Sequence, residues 1–292
     1  MPPADIQAPA AALDLPPTVF IGGGNMASAI AAGLLRQGAQ AERIRIIEPA
    51  ASAADALRQR LGVHALPDAQ SPAARAALAQ ARLIVWAVKP QVFAQAAAPV
   101  AQQLAASPAA APLHLSVAAG IGAASLARWL GSDRIVRAMP NTPALIGQGM
   151  TGLYAGSAVT ADERALAERA ASATGQFLWV PREELLDAVT ALSGSGPAYV
   201  FYFLEAMQQA GEQMGLPAAD ALRLAVATFS GASALAAHGG EPPATLRQRV
   251  TSPGGTTHAA ITAMQTSGVG PAFSAAMHAA CQRARELGRE FG

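Results

Sequence analysis

The stretch TVFIGGGNMASAIAAGLL, Thr18 to Leu35, decides the fold. Thr18 to Ile21 is a short apolar, partly β-branched run of the kind that forms a buried strand. Gly22, Gly23 and Gly24 follow, a turn that residues lacking Cβ make at least cost. From Asn25 the period becomes helical, with Met26, Ile30, Gly33 and Leu34 recurring on one face. Strand, glycine turn and helix open a βαβ unit. Gly22, Gly24 and Ala27 fit G-x-G-x-x-G/A, where a small third residue lets helix and strand pack closely. The free N–H groups and dipole at the start of such a helix hold a pyrophosphate.

Context strengthens the motif. A second strand, Arg43 to Ile47, ends in Glu48. This lies about 20 residues on, the offset at which an acidic side chain meets the ribose of a bound dinucleotide. Further along, helical and strand patterns alternate. Helices are expected over 52–61, from Ser71 with Pro72 at the first helical position, after Gln91 to about Ala105, and over 123–130. Strands are expected over 63–66, 83–88, 113–118 and 134–138, the run LIVWAV being continuous enough for a parallel strand covered on both faces. Met150 to Ala155 reads as an edge strand. Thr160 and Glu163 form a capping box for a helix over 161–174 that Gly175 ends, and Phe177 to Val180 is a last strand. This alternation implies a Rossmann-type doubly wound α/β sheet over 18–181. Ligands of such sheets sit beyond the carboxyl ends of the strands. Three unusual segments fall there: 22–27, 88–91 and 139–142. Lys89 is the one lysine of the chain, every other strongly basic side chain being Arg. A compact ammonium near the cofactor's phosphates or carboxamide explains that choice better than Arg's larger fork.

From Arg182 strand patterns stop and long helices take over, so 182–292 is expected to be an all-α domain. The centre of the helix over 217–238 is apolar or small nearly all round, which is not the pattern of a surface helix. In so short a segment other chains must bury it, and an obligate homo-oligomer is expected. Thr251-Ser252-Pro253-Gly254-Gly255-Thr256-Thr257 precedes a helix from about Ala259. Two glycines and hydroxyls ahead of a helix N-terminus make an anion nest with uncharged donors, suited to a small carboxylate.

Composition sets the outer limits. The 292 residues are 52% hydrophobic and 13% charged, with net charge +1. The mean hydropathy of +0.27 asks for a membrane span or a large buried interface. The longest apolar stretch, 109–127, is broken by Pro112, His114, Gly120 and Gly122, which favours the interface. No basic stripe supports nucleic-acid binding. Cys281 is the only cysteine, so no intrachain disulfide or cysteine metal site is expected. Residues 1–17 are Ala/Pro-rich, without the basic start and apolar run of a signal peptide, and read as a disordered tail on a cytoplasmic protein.

Five segments converge on one likeness: FIGGGNM at 20–26, AVKPQ at 87–91, RAMPNTPALIGQGMT at 137–151, SGSGPAYVF at 193–201 and TSPGGTT at 251–257. Together they resemble the pyrroline-5-carboxylate reductases over about Thr18 to Leu287. The resemblance implies an N-terminal Rossmann domain, a C-terminal helical dimerisation domain, and dimers that assemble into decamers. It implies reduction of 1-pyrroline-5-carboxylate to L-proline with NADPH or NADH. It gives Gly22, Gly24, Asn25 and Met26 to the pyrophosphate turn and Val88 and Lys89 to the cofactor wall. Ser252, Gly255, Thr256 and Thr257 surround the substrate, with a partner subunit completing the site. The Thr257 hydroxyl faces the imine nitrogen. Two positions depart from the family pattern. His258 stands where an aliphatic residue is usual, and packing is the preferred reading. Glu48 should bond a ribose 2′-OH and repel a 2′-phosphate, favouring NADH, whereas the family commonly prefers NADPH. A β-hydroxyacid dehydrogenase would need a lysine within 193–201, and none is present. The remaining rivals are a reductase of a related cyclic imine and a dinucleotide-binding oligomer without catalysis.

Overall fold

A computed structural model describes residues 14–106 and 111–291. It divides into two compact units, one formed by the chain up to Gly194 together with the segment from Cys281 onward, the other by Ser195–Ala280.

The first unit contains β1 (Thr18–Ile21), α1 (Asn25–Arg36), β2 (Ile44–Ile47), α2 (Ala51–Leu61), β3 (His64–Leu66), α3 (Pro72–Gln80), β4 (Leu83–Trp86), α4 (Phe93–Ala105), β5 (Leu113–Ser116), α5 (Ala123–Leu130), β6 (Ile135–Met139), β7 (Gly149–Ala155), α6 (Ala161–Ser172), β8 (Gly175–Trp179) and α7 (Leu185–Val189). The eight strands form one sheet in the order β3-β2-β1-β4-β5-β6-β7-β8. β1 to β6 pair in parallel, β6 with β7 antiparallel, and β7 with β8 parallel. The expectation of an edge strand over 150–155 is corrected: β7 lies inside the sheet, and β8 occupies the edge among the described residues.

Strand alternation builds two cores. Phe20, Leu83 and Val85 face one side with Ile30 and Leu34 of α1, while Val19, Ile21, Ile84 and Trp86 face the other with Phe93, Val100 and Leu126. A strand covered on both faces is apolar at every position, which is why Leu83–Trp86 is an unbroken hydrophobic run. Gly33 lets α1 approach the chain after α6, since a Cβ there would overlap the Ala173 carbonyl. Thr160 and Glu163 form the reciprocal capping box, each side chain accepting from the other residue's backbone N–H. Gly175 opens β8 instead of ending α6. Its φ of +142° and its closeness to the Gly149 backbone exclude a side chain.

Most of the expected tail, residues 1–13, lies outside the described residues. Its last residues are already part of the fold, with Leu15 buried in the sheet's core and the Pro17 carbonyl accepting from Arg82 N–H at 2.9 Å. At the other end the sheet-bearing unit continues past Pro181. Glu183 accepts from Arg137 at 2.7 Å and from the Ala123 N–H at 2.6 Å, and Val189 sits against Gly152. These contacts carry residues 182–194 with the sheet.

The second unit consists of α8 (Gly196–Gln213), α9 (Ala218–Gly239), α10 (Pro243–Arg249), α11 (Thr256–Thr266) and the greater part of α12 (Val269–Phe291). Within it α8 and α9 are neighbours, and Tyr199, Phe203 and Phe273 stack edge to face. The apolar surface of α8 and α9 is largely uncovered in the single chain: Phe201 is 60% exposed, Leu224 56% and Leu235 69%.

Candidate active site

The glycine turn joins β1 to α1 where the strand order reverses, β1 lying between β2 and β4. Such a switch point is where doubly wound sheets bind ligands. Gly22 has φ +93°, and its N–H donates to the Ile47 carbonyl at 2.9 Å. A Cβ on Gly22 would stand 2.7 Å from the Ala87 carbonyl oxygen and 3.0 Å from Val88 Cγ1. The turn is thus wedged between the carboxyl ends of β2 and β4. Gly24 differs. It is the N-cap of α1 in extended backbone (φ −67°), and nothing lies within 4 Å of where its Cβ would be. That open face is the approach a pyrophosphate needs. The first turn of α1 has no acidic side chain, and its N-cap supplies no side-chain acceptor. The amides of Asn25, Met26 and Ala27 are therefore available to an anion. Ala27 is fully buried, as close helix–strand packing requires. A dinucleotide fits the residues present.

Glu48 ends β2 and meets the turn from the side. One carboxylate oxygen accepts the Gly23 N–H at 2.8 Å and the other the Ala50 N–H at 2.9 Å. Val88 lies half-buried against Gly22, and Lys89 follows in solvent as the N-cap of a short 3₁₀ turn, Pro90–Val92. The structure therefore gathers Gly22, Gly24, Asn25, Met26, Glu48 and Val88 around one turn, with Lys89 next along the chain.

The sequence reading singled out the loop after β6 and the SGSG segment but not their connection. Asn141 accepts from the Met150 N–H at 2.8 Å and donates to the Ser193 carbonyl and hydroxyl at 3.3 and 3.2 Å. A π-helical turn, Thr190–Gly194, carries Ser193. Gly194 lies against the Met139 methyl, where a side chain would collide.

In the second unit Ser252, Gly255, Thr256 and Thr257 share one turn. Gly254 has φ +72°, the Gly255 N–H donates to the Ser252 carbonyl at 3.0 Å, and Gly255 is the extended N-cap of α11. The helix starts at Thr256, three residues earlier than the helical period indicates. Its first turn has no acidic side chain. The amides of Thr256, Thr257 and His258 can thus face an anion. His258 is exposed.

Among the described residues no group of three or more His, Cys, Asp or Glu could hold a metal ion, and no helix is long and apolar enough to cross a membrane.

Residues 183–287 match the model of the pyrroline-5-carboxylate reductase dimerisation family, and residues 18–112 that of the coenzyme F420-dependent NADP oxidoreductases. The chain is 44% identical over 281 residues to a pyrroline-5-carboxylate reductase of Pseudomonas aeruginosa, covering 96% of this chain and all of that protein. It is 40% identical over 272 residues to the enzyme of the same name from Synechocystis, covering 93% of this chain and 98% of that one. A solved pyrroline-5-carboxylate reductase from Coxiella burnetii superposes with a TM-score of 0.86 at 37% identity, covering 94% of this chain and 99% of the other. Likeness of that extent, carried through both the sheet and the helices, shows that the chain belongs to the pyrroline-5-carboxylate reductase family.

Proposed function

We propose that this protein reduces the C=N bond of 1-pyrroline-5-carboxylate to give L-proline, with NADPH or NADH as hydride donor. The observation that carries the reading is 44% identity over 96% of the chain to a reductase of that name, together with an intact Ser252–Thr257 turn. A nicotinamide held at this turn would supply the hydride for the imine carbon. Asn25 and Met26 hold its pyrophosphate through backbone amides, Gly22 and Gly24 give the turn its shape and its open approach, and Val88 and Lys89 line its path. Amides at the start of α11 hold the substrate carboxylate, with Ser252, Gly255 and Thr256 shaping the turn. The Thr257 hydroxyl hydrogen-bonds the ring nitrogen and orients it. The ring nitrogen is already protonated when hydride arrives, so the electron pair of the C=N bond becomes the amine lone pair without a strong base. The protein is a homo-oligomer. Its finer assembly, a homodimer whose partner subunit completes the site and which builds decamers, belongs to this proposal, as does a cytoplasmic location.

Steady-state oxidation of NADH and of NADPH in the presence of 1-pyrroline-5-carboxylate tests it. Turnover with proline as product is expected. Cofactor binding without turnover of this imine would overturn the reading in favour of another cyclic imine or a non-catalytic binder.

A further inference from the structure

We propose that Glu48 is a positioning residue for the phosphate-binding turn. This inference rests on the reading that the turn binds a nicotinamide dinucleotide. Both carboxylate oxygens are engaged by backbone amides, Oε2 by Gly23 at 2.8 Å and Oε1 by Ala50 at 2.9 Å. Each is a charge-assisted bond, stronger than its neutral counterpart. The first ties down the middle residue of the turn, between Gly22, fixed against Ala87 and Val88, and Gly24, whose open face receives the ligand. The second anchors the same carboxylate to the residue preceding α2. Packing supports the assignment. A Cβ on Gly23 would lie 3.2 Å from both Cβ and Cγ of Glu48 and 2.5 Å from Leu57 Cδ1. A side chain at the middle glycine, which the G-x-G-x-x-A pattern leaves free, would therefore press on the Glu48 stem and displace the end of Leu57. Side chain and turn fit each other as one unit.

The ribose role expected from sequence and the clamp role separate on two readouts. A ribose ligand distinguishes NADH from NADPH. A clamp sets the amides that hold the pyrophosphate, which both cofactors share. Dissociation constants for NADH and NADPH are measured by fluorescence titration of the wild type, Glu48→Ala and Glu48→Gln. Amide hydrogen exchange at Gly23 is followed in the cofactor-free proteins.

For Glu48→Ala both cofactors are expected to weaken by about 10-fold or more, with their ratio held within about twofold, and Gly23 exchange to accelerate by a similar factor. Glu48→Gln keeps one carbonyl acceptor and the stem, and should recover part of both affinities; it also serves if the alanine variant folds poorly. Selective weakening of NADH, with NADPH unchanged or tighter, would overturn the proposal in favour of the ribose role. Unchanged Gly23 exchange would also overturn it. Neither readout uses the imine, so a wild type that binds cofactor without turning over substrate would defeat the catalytic reading and leave this one standing. If the wild type bound neither cofactor, Gly23 exchange alone would decide.

Discussion

The Trp86 indole N–H donates to Nδ1 of His114 across 3.1 Å, both side chains being buried in the sheet. His114 must then be neutral, with its proton on Nε2. Burial, reinforced by the Arg134 charge, lowers its pKa from 6.5 to about 4.

The sign of the pH dependence follows. Between pH 6.5 and 4 the unfolded chain takes up a proton on this histidine and the folded chain does not. Stability from this group is complete above 6.5 and is lost as pH falls toward 4, by on the order of 3 kcal/mol. Urea unfolding at fixed protein concentration should show the wild type losing this increment relative to His114→Gln over that interval. Parallel pH curves for the two proteins would show that His114 does not carry it.

Gly22 and Gly24 should separate fold from function. Gly22→Ala places a Cβ at φ +93° and 2.7 Å from the Ala87 carbonyl, and is expected to cost about 1–3 kcal/mol in backbone strain alone, visible as a lowered Tm. Gly24→Ala meets no atom within 4 Å in the cofactor-free protein, so its Tm should fall by only a few degrees, the cost of alanine at a helix N-cap. On the proposed reading its methyl group stands where the pyrophosphate approaches, and NADPH and NADH should both bind at least tenfold more weakly. Unimpaired cofactor binding by Gly24→Ala would move the phosphate site elsewhere.

Thr257→Ala should lower kcat/KM for 1-pyrroline-5-carboxylate by roughly 10- to 100-fold, the value of about 1.5–3 kcal/mol for a hydrogen bond to a charged group. Cofactor affinity should not change, because the proposal gives this hydroxyl to the substrate and not to the dinucleotide. Thr257→Ser, which keeps the hydroxyl, should recover most of the rate. Wild-type kinetics in the alanine variant would remove Thr257 from the chemistry.

The uncovered face of α8 and α9 predicts concentration-dependent stability. Leu224 and Leu235 are more than half exposed in the single chain. Anything that binds only the folded state stabilises it by mass action, and a second subunit is such a ligand. Tm should rise with protein concentration, and Leu224→Glu should shift sedimentation toward the monomer. An unchanged oligomer in that variant would place the subunit contact on another surface.

Local chemistry was the legible part of this chain. The apolar run of β1 and the helical stretch of α5 were placed to the residue, because buried strands and short helices write their signals in adjacent positions. The Thr160–Glu163 box was readable for the same reason. What could not be read were pairings fixed by topology. β7 looks like an edge strand in sequence because nothing in residues 150–155 reveals that β8 will pair beyond it. Asn141 and Ser193 each stood in a conspicuous segment, yet only the sheet brings them into hydrogen-bonding contact. Motif spacing located Glu48 beside the glycine turn but could not say which donors its oxygens meet. His114, a lone histidine in an apolar strand, had no local mark of its tie to Trp86.

Lys89 stands exposed at the carboxyl end of β4, one residue beyond the Val88 that touches Gly22. With every other strongly basic side chain an arginine, an amine-directed reagent meets one lysine in the whole chain. Apart from the chain's own terminal amine, acylation of this enzyme is therefore site-directed labelling. A fluorophore or cross-linker placed there without mutation would report from the edge of the cofactor turn, and bound dinucleotide should shield it.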